Sequence, residues 1–177
     1  MKNQRFGPIQ QIGFVVDDLE KAALHWCHAC GIGPFYISEH IKYRSFRFRG
    51  QETPIDLSLA FSYSENLQIE LIKQHNDAPS VYREFLSRSP SGVVHVATFS
   101  DDFDAETEIM KARGNSILQT SLDEKGVETI YFETDHHLGG LVELIRGYEE
   151  LFQTLDKMKA ACQTWDGSKP IRYERPT

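Results

Sequence analysis

Apolar and polar positions along the chain follow two alternating rhythms, and their order repeats. The segment Gln11-Ile-Gly-Phe-Val-Val-Asp-Asp18 starts on a polar residue, runs through a mainly apolar strand and ends in two aspartates, as does His95-Val-Ala-Thr-Phe-Ser-Asp-Asp102. Each aspartate pair opens a helical pattern, with Glu20 or Asp104 placing negative charge in the first turn, where the helix dipole favours it. In the first helix Leu19, Ala22, Ala23, Trp26, Cys27 and Cys30 follow helical spacing up to Gly31; the second runs from Phe103 through Ile109 and Met110 to Gly114. Strand-like runs follow at 35–40 and 55–63 in the first half and at 116–121 and 127–133 in the second. Both halves then close on a glutamate among aliphatics, Ile69-Glu-Leu-Ile-Lys73 and Val142-Glu-Leu-Ile-Arg146.

The pattern predicts an α+β fold of two tandem strand-helix-strand-strand-strand modules, at 9–74 and 92–147, within a single domain spanning 1–177. From opening polar residue to closing glutamate the halves span 59 residues (70 − 11) and 48 (143 − 95), and the surplus is expected in a loop around 47–54. Residues 77–88 read as a connecting helix with Pro79 in its first turn. Beyond the second module, Leu151, Leu155, Met158, Cys162 and Trp165 form an apolar stripe at helical spacing, suited to packing on the chain's own sheet or making a homodimer. The tail 166–177 reads as irregular.

Composition narrows the class. With 177 residues, 40% of them hydrophobic, the chain is long enough to bury a core without disulfide staples. A formal net charge of −7 argues against nucleic acid as a partner, which calls for a basic face. Residues 1–10 lack the apolar stretch of a signal peptide, no run approaches membrane-spanning length, and three cysteines make no paired framework, so a cytoplasmic protein with reduced thiols is expected.

The chemistry lies at the repeated positions. Ionised glutamate is costly among Leu, Ile and Val unless paired or bound to a metal. Glu70 and Glu143 occupy equivalent points of the two repeats, which invites a common explanation. One divalent cation supplies it, with Gln11 through its carbonyl and His95 through its imidazole completing a mixed oxygen and nitrogen set that magnesium, manganese, cobalt, nickel, zinc and iron all accept. Four protein ligands leave two places on an octahedral ion, enough to chelate a small-molecule substrate with a carbonyl or vicinal oxygens. Taken singly, each residue has a plainer reading: Gln11 capping a sheet edge, Glu70 or Glu143 paired with Arg or Lys, His95 a hydrogen-bonded core histidine. Gln68, two residues from Glu70 on the same strand face, is the rival ligand.

At these residues the chain resembles the vicinal oxygen chelate superfamily, which contains glyoxalase I, methylmalonyl-CoA epimerase, extradiol dioxygenases and bleomycin- and fosfomycin-resistance proteins. The resemblance covers roughly residues 9 to 147 and rests on Gln-Ile-Gly-Phe-Val-Val-Asp-Asp-Leu-Glu-Lys-Ala, Gln-Ile-Glu-Leu-Ile, Gly-Val-Val-His-Val-Ala and Leu-Gly-Gly-Leu-Val-Glu-Leu-Ile, in that order. It implies two modules curved around one metal cleft, with ligands from the first and last strands of each, which selects Gln11, Glu70, His95 and Glu143. That set looks like the Gln-containing glyoxalase I enzymes, and Gln11 counts against iron-dependent dioxygenase and fosfomycin-resistance chemistry. The wording of the motifs is nearer the epimerases, which commonly carry His at the first position and an acidic segment for which Glu52 is the nearest candidate here. The resemblance implies a metal-dependent isomerase, epimerase or lyase in which the final glutamate, Glu143, abstracts a proton alpha to a carbonyl, with Glu70 or another acid returning one. The competing readings are a metal-free binding protein of the bleomycin-resistance type and an iron-dependent ring-cleaving dioxygenase.

Three further features have plain explanations. Cys27-His-Ala-Cys30 reads as a packed helix face rather than a redox motif, and His136 and His137 as part of a turn. Arg44, Arg47 and Arg49 alternating with Phe46 and Phe48 fit either a strand with a solvated face or a substrate-contacting loop.

Overall fold

Both halves of the chain weave the same four-strand order in a computed structural model that describes residues 7–134 and 140–173. The first half runs β1 (Gln11–Val15), α1 (Leu19–Cys30), β2 (Phe35–Ser38), β3 (Tyr43–Phe48), β4 (Gln51–Glu52), β5 (Leu57–Ser64) and β6 (Leu67–Gln74). After α2 (Val81–Leu86) come β7 (Gly92–Ser100), α3 (Phe103–Ala112), β8 (Ile117–Asp123), β9 (Glu128–Phe132) and β10 (Leu141–Arg146), then α4 (Glu149–Gln163) and β11 (Ile171–Arg172). In each half the first strand pairs in parallel with the last (β1 with β6, β7 with β10), the last antiparallel with the strand before it (β6 with β5, β10 with β9), and that strand antiparallel with the one after the helix (β5 with β2, β9 with β8). The halves join where β1 meets β7 antiparallel, giving the order β11-β2-β5-β6-β1-β7-β10-β9-β8-β3-β4.

Local chemistry sets the helix ends. Asp18 is the N-cap of α1, its carboxylate accepting from the Lys21 N–H at 3.0 Å, and Gly31 stops the helix at φ 66, a left-handed conformation that suits glycine. The connecting helix is shorter than its sequence suggests. Ser80 is its cap, accepting from the Arg83 N–H at 3.0 Å, while Gln74 donates to the Ala78 carbonyl and holds the preceding residues outside the helix.

The expected loop at 47–54 is instead a hairpin. Arg49 and Gly50 turn it with positive φ, and β3 crosses to the other half of the sheet, pairing antiparallel with β8. Alternation explains the choice: Phe46 and Phe48 are buried while Arg47 pairs with Glu52 and Arg49 with Glu84 in solvent. The tail also departs from expectation, since β11 pairs in parallel with β2. His136, His137 and the start of Leu138-Gly-Gly140 lie outside the described residues.

Helices α1 and α3 cover one face of the sheet, α1 against Phe35, Ile37 and Leu71, and α3 through Phe103 and Met110 against Phe132 and Leu144. The opposite face carries two further apolar clusters. One gathers Val15, Ile72, Tyr82, Tyr131 and Leu141, and the other is built by α4, whose Met158 packs on Tyr36 and Tyr63 and whose Leu151 packs on Ala97 and Ile145. The α4 stripe is therefore used within the chain. No helix among the described residues is long and apolar enough to cross a membrane.

Candidate metal centre

Between those two clusters, four adjacent strands bring the repeated residues together. Gln68, Gln11, Ala97 and Glu143 stand in register across β6, β1, β7 and β10, and Glu70, Gly13, His95 and Leu141 form the next row. Residues two apart on a strand share a face, so both rows project into the same cleft. Glu70, Gln11, His95 and Glu143 thus zigzag between rows, with the small Gly13 and Ala97 leaving space among them.

All four are almost fully buried, at 2% exposure for Gln11, 6% for Glu70, 0% for His95 and 4% for Glu143, so two glutamates share one largely desolvated site. Their oxygens converge on one nitrogen: His95 Nε2 lies 3.0 Å from Glu143 Oε2, 3.1 Å from Gln11 Oε1 and 3.3 Å from Glu70 Oε2. A ring nitrogen carries one proton and cannot satisfy three oxygens. Potential ligand atoms of Glu70, His95 and Glu143 all lie within 4.8 Å of one another, so these residues could hold one divalent cation.

Charge also governs the protonation of His95. Burial would lower the His95 pKa, but Glu143 and Glu70 outweigh it and push the imidazole up to about 10. Without a metal, the ring itself becomes the cation that the two carboxylates require.

Gln11 and His95 each have a physical reason for their orientation. Gln11 Nε2 donates to Gln68 Oε1 at 2.7 Å, and Gln68 Nε2 donates to the Tyr63 hydroxyl at 2.9 Å, which turns the Gln11 carbonyl toward His95. Gln68, the rival ligand by sequence, has both ends of its amide engaged in this chain. The other ring nitrogen of His95, Nδ1, is buried without a hydrogen bond, so packing fixes the ring. Tyr131 meets it edge-on at 5.2 Å, and a β-carbon added to Gly13 would come within 2.0 Å of its Cε1 atom.

The cleft lined by Gln11, Glu70 and Glu143 has a volume of about 100 Å³. Leu151, Leu155 and Met158 of α4 line it together with Phe61 and Phe99, so α4 roofs the site. Tyr43, Tyr82 and Tyr131 line it too. Burial, reinforced by the Glu70 and Glu143 charges, pushes all three phenols well above their ordinary pKa, so they remain protonated donors; the Tyr82 and Tyr131 hydroxyls hydrogen-bond at 2.9 Å. Neither Gly13 nor these tyrosines stood out by sequence. A strand tyrosine looks like ordinary core, but the position of Gly13 on the Gln11 face was a usable signal.

The remaining sequence candidates lie elsewhere. Arg44 donates to the Glu124 carbonyl and, like Arg47 and Arg49, is absent from the cleft wall. Cys27 is buried against the sheet, and burial followed by the Cys162 charge pushes its thiol pKa up; Cys30 is exposed, which corrects its placement on the packed face.

No curated protein matches the chain in sequence. Among solved structures, methylmalonyl-CoA epimerase from Mycobacterium tuberculosis superposes with a TM-score of 0.59 at 20% identity, covering 81% of this chain and 90% of that one. A hypothetical protein from Bacillus halodurans gives 0.58 at 15% identity, covering 80% and 95%. A Streptomyces coelicolor methylmalonyl-CoA epimerase variant in complex with 2-nitronate-propionyl-CoA gives 0.55 at 16%, covering 80% and 97%. At these identities the likeness is one of fold. The family itself is shown by the sequence, because residues 10–132 match its model: the chain belongs to the Glyoxalase/Bleomycin resistance protein/Dioxygenase superfamily.

Proposed function

We propose that Gln11, Glu70, His95 and Glu143 hold one divalent cation, and that the protein is an isomerase or epimerase acting by proton transfer at the carbon next to a carbonyl. The observation that carries this reading is the convergence of three oxygens within 3.3 Å of one buried imidazole nitrogen. When bound, such a cation supplies Lewis-acid stabilisation of the oxyanion that forms as the substrate enolises.

Residues of the chain do the rest. Glu143, on β10, takes the proton; Glu70, on β6 at the opposite flank, returns one to the same carbon in an epimerase or to its neighbour in an isomerase. Gln11 and His95 are ligands, and Gln68 keeps the Gln11 oxygen turned inward. The apolar roof of Leu151, Leu155 and Met158 excludes water and suits an apolar substituent on the substrate. The epimerases among the structural neighbours support the proton-transfer reading and make acyl-CoA thioesters the first compounds to try.

The test is deuterium incorporation alpha to the carbonyl, followed by NMR in D2O across a panel of branched acyl thioesters and 2-hydroxy carbonyl compounds. Metal-loaded protein is expected to catalyse exchange, and chelation or Glu143→Gln to abolish it. Exchange untouched by Glu143→Gln would remove that residue from the role of base. A folded protein that takes up no divalent metal would favour the second reading, metal-free sequestration, for which the apolar roof is the supporting observation.

A further inference from the structure

A second group of ligand-type side chains stands at the sheet end where β2, β5 and β6 lie side by side. His40 follows β2, Asp56 precedes β5 and His75 follows β6. Three separated stretches of sequence thus deliver two imidazoles and a carboxylate to one place, with potential ligand atoms all within 4.8 Å of one another.

The group is held in shape. His40 Nδ1 lies 2.8 Å from Asp56 Oδ1, and the two imidazole rings face each other at a 30° tilt with centroids 4.6 Å apart. Beneath them the buried Ser58 hydroxyl accepts from the His40 backbone N–H at 3.0 Å and hydrogen-bonds His75 Nε2 at 2.8 Å. The His75 backbone N–H donates to the Asp56 backbone carbonyl at 2.9 Å, which fixes the third corner. His40 also adopts φ 47, a left-handed backbone that side-chain-bearing residues seldom take, and this conformation is part of what brings its ring against the other two.

From this arrangement we infer that His40, Asp56 and His75 form a second metal site, separate from the buried centre, for a late first-row divalent ion such as Zn2+, Ni2+ or Cu2+. Imidazole nitrogens with a single carboxylate suit those ions and not calcium or magnesium, which prefer oxygen shells. Three protein ligands leave room for water, consistent with the half-exposed side chains of His40 and Asp56. The site also bears on the cleft: the chain continues from His40 into Ile41 and Tyr43, both of which line the central cavity. A cation at the sheet end therefore pins one wall of the cleft.

The experiment is a Zn2+ titration by calorimetry, with bound zinc counted after dialysis, on the wild-type protein, His75→Ala and His40→Asn; asparagine is chosen because it tolerates left-handed backbone. Each variant is expected to bind one zinc fewer per chain than wild type and to lose part of the zinc-dependent rise in Tm. His95→Ala, the control for the buried centre, is expected to retain this second site. Equal zinc counts in wild type, His75→Ala and His40→Asn would overturn the inference. Should either variant fail to fold, imidazole resonances of the wild-type protein give the answer: the His40 and His75 ring signals shift together on zinc addition, and rings unmoved at saturating zinc refute the site.

Discussion

Gly13 lies directly opposite His95 across the β1 and β7 strands, and the imidazole occupies the space that any side chain at residue 13 would fill. The closest approach of a β-carbon there, 2.0 Å, is far below van der Waals contact, and its neighbours are the ring atoms of a buried side chain. Gly13→Ala is expected to push the imidazole away from Glu70 and Glu143, lowering metal affinity at least tenfold and stability by about 1–3 kcal/mol, the usual range for overpacking. Metal content after dialysis and a urea melt of the metal-free protein measure the two effects separately.

The hydrogen-bond chain from Tyr63 through Gln68 to Gln11 predicts a different signature. Gln68→Leu leaves the four proposed ligands in place but frees the Gln11 amide to rotate, so metal affinity is expected to drop about 10- to 100-fold, as for other losses of groups that orient a ligand. Competition against a chelator of known affinity provides the measurement. An unchanged affinity would mean that the Gln11 carbonyl is oriented by something else.

Proton linkage follows from the His95 environment. In the metal-free protein its pKa is raised from 6.5 to about 10, because Glu143 and Glu70 outweigh the cost of burial. A raised folded-state pKa contributes stability that is fully present below pH 6.5 and lost as pH rises through 10. The metal-free protein should therefore grow easier to unfold across that window, as seen in urea midpoints. Metal must displace the same proton, so its affinity should climb with pH and level off above about 10, with close to one proton released per ion at neutral pH. Calorimetry in buffers of different ionisation enthalpy counts that proton.

Met158 tests the roof of the cleft. It is 1% exposed and packs on Tyr36 and Tyr63. Met158→Ala is expected to cost about 2–5 kcal/mol, as large-to-small core changes do, and to enlarge the cavity enough to admit bulkier substrates. Thermal melts and relative turnover across a series of substrate sizes check both outcomes.

Sequence carried the duplicated modules, because strand alternation and matched repeat positions depend only on local periodicity, while the grouping of Gln11, Glu70, His95 and Glu143 rested on the matched repeat positions together with the likeness to the superfamily. Cross-strand register is non-local, so nothing in the chain placed Gly13 opposite His95 or His40 against His75. The 47–54 segment failed as a loop for a related reason: Phe46 and Phe48 declared a strand, but its partner β8 lies in the other half. Ser80 capping α2 was missed through the pull of Pro79, a residue that suits a first turn but here precedes the cap.

The crossing of β3 onto β8 also governs how the chain can assemble. Its ladder pairs Tyr43 with Asp123, 80 positions apart (123 − 43), whereas each half otherwise pairs largely within itself. During synthesis β3 emerges long before its partner, with Phe46 and Phe48 lacking the surface that will bury them. The β3 hairpin stays incomplete until the late half supplies the edge of β8. Two modules that look like independent copies are in this way bound to mature together.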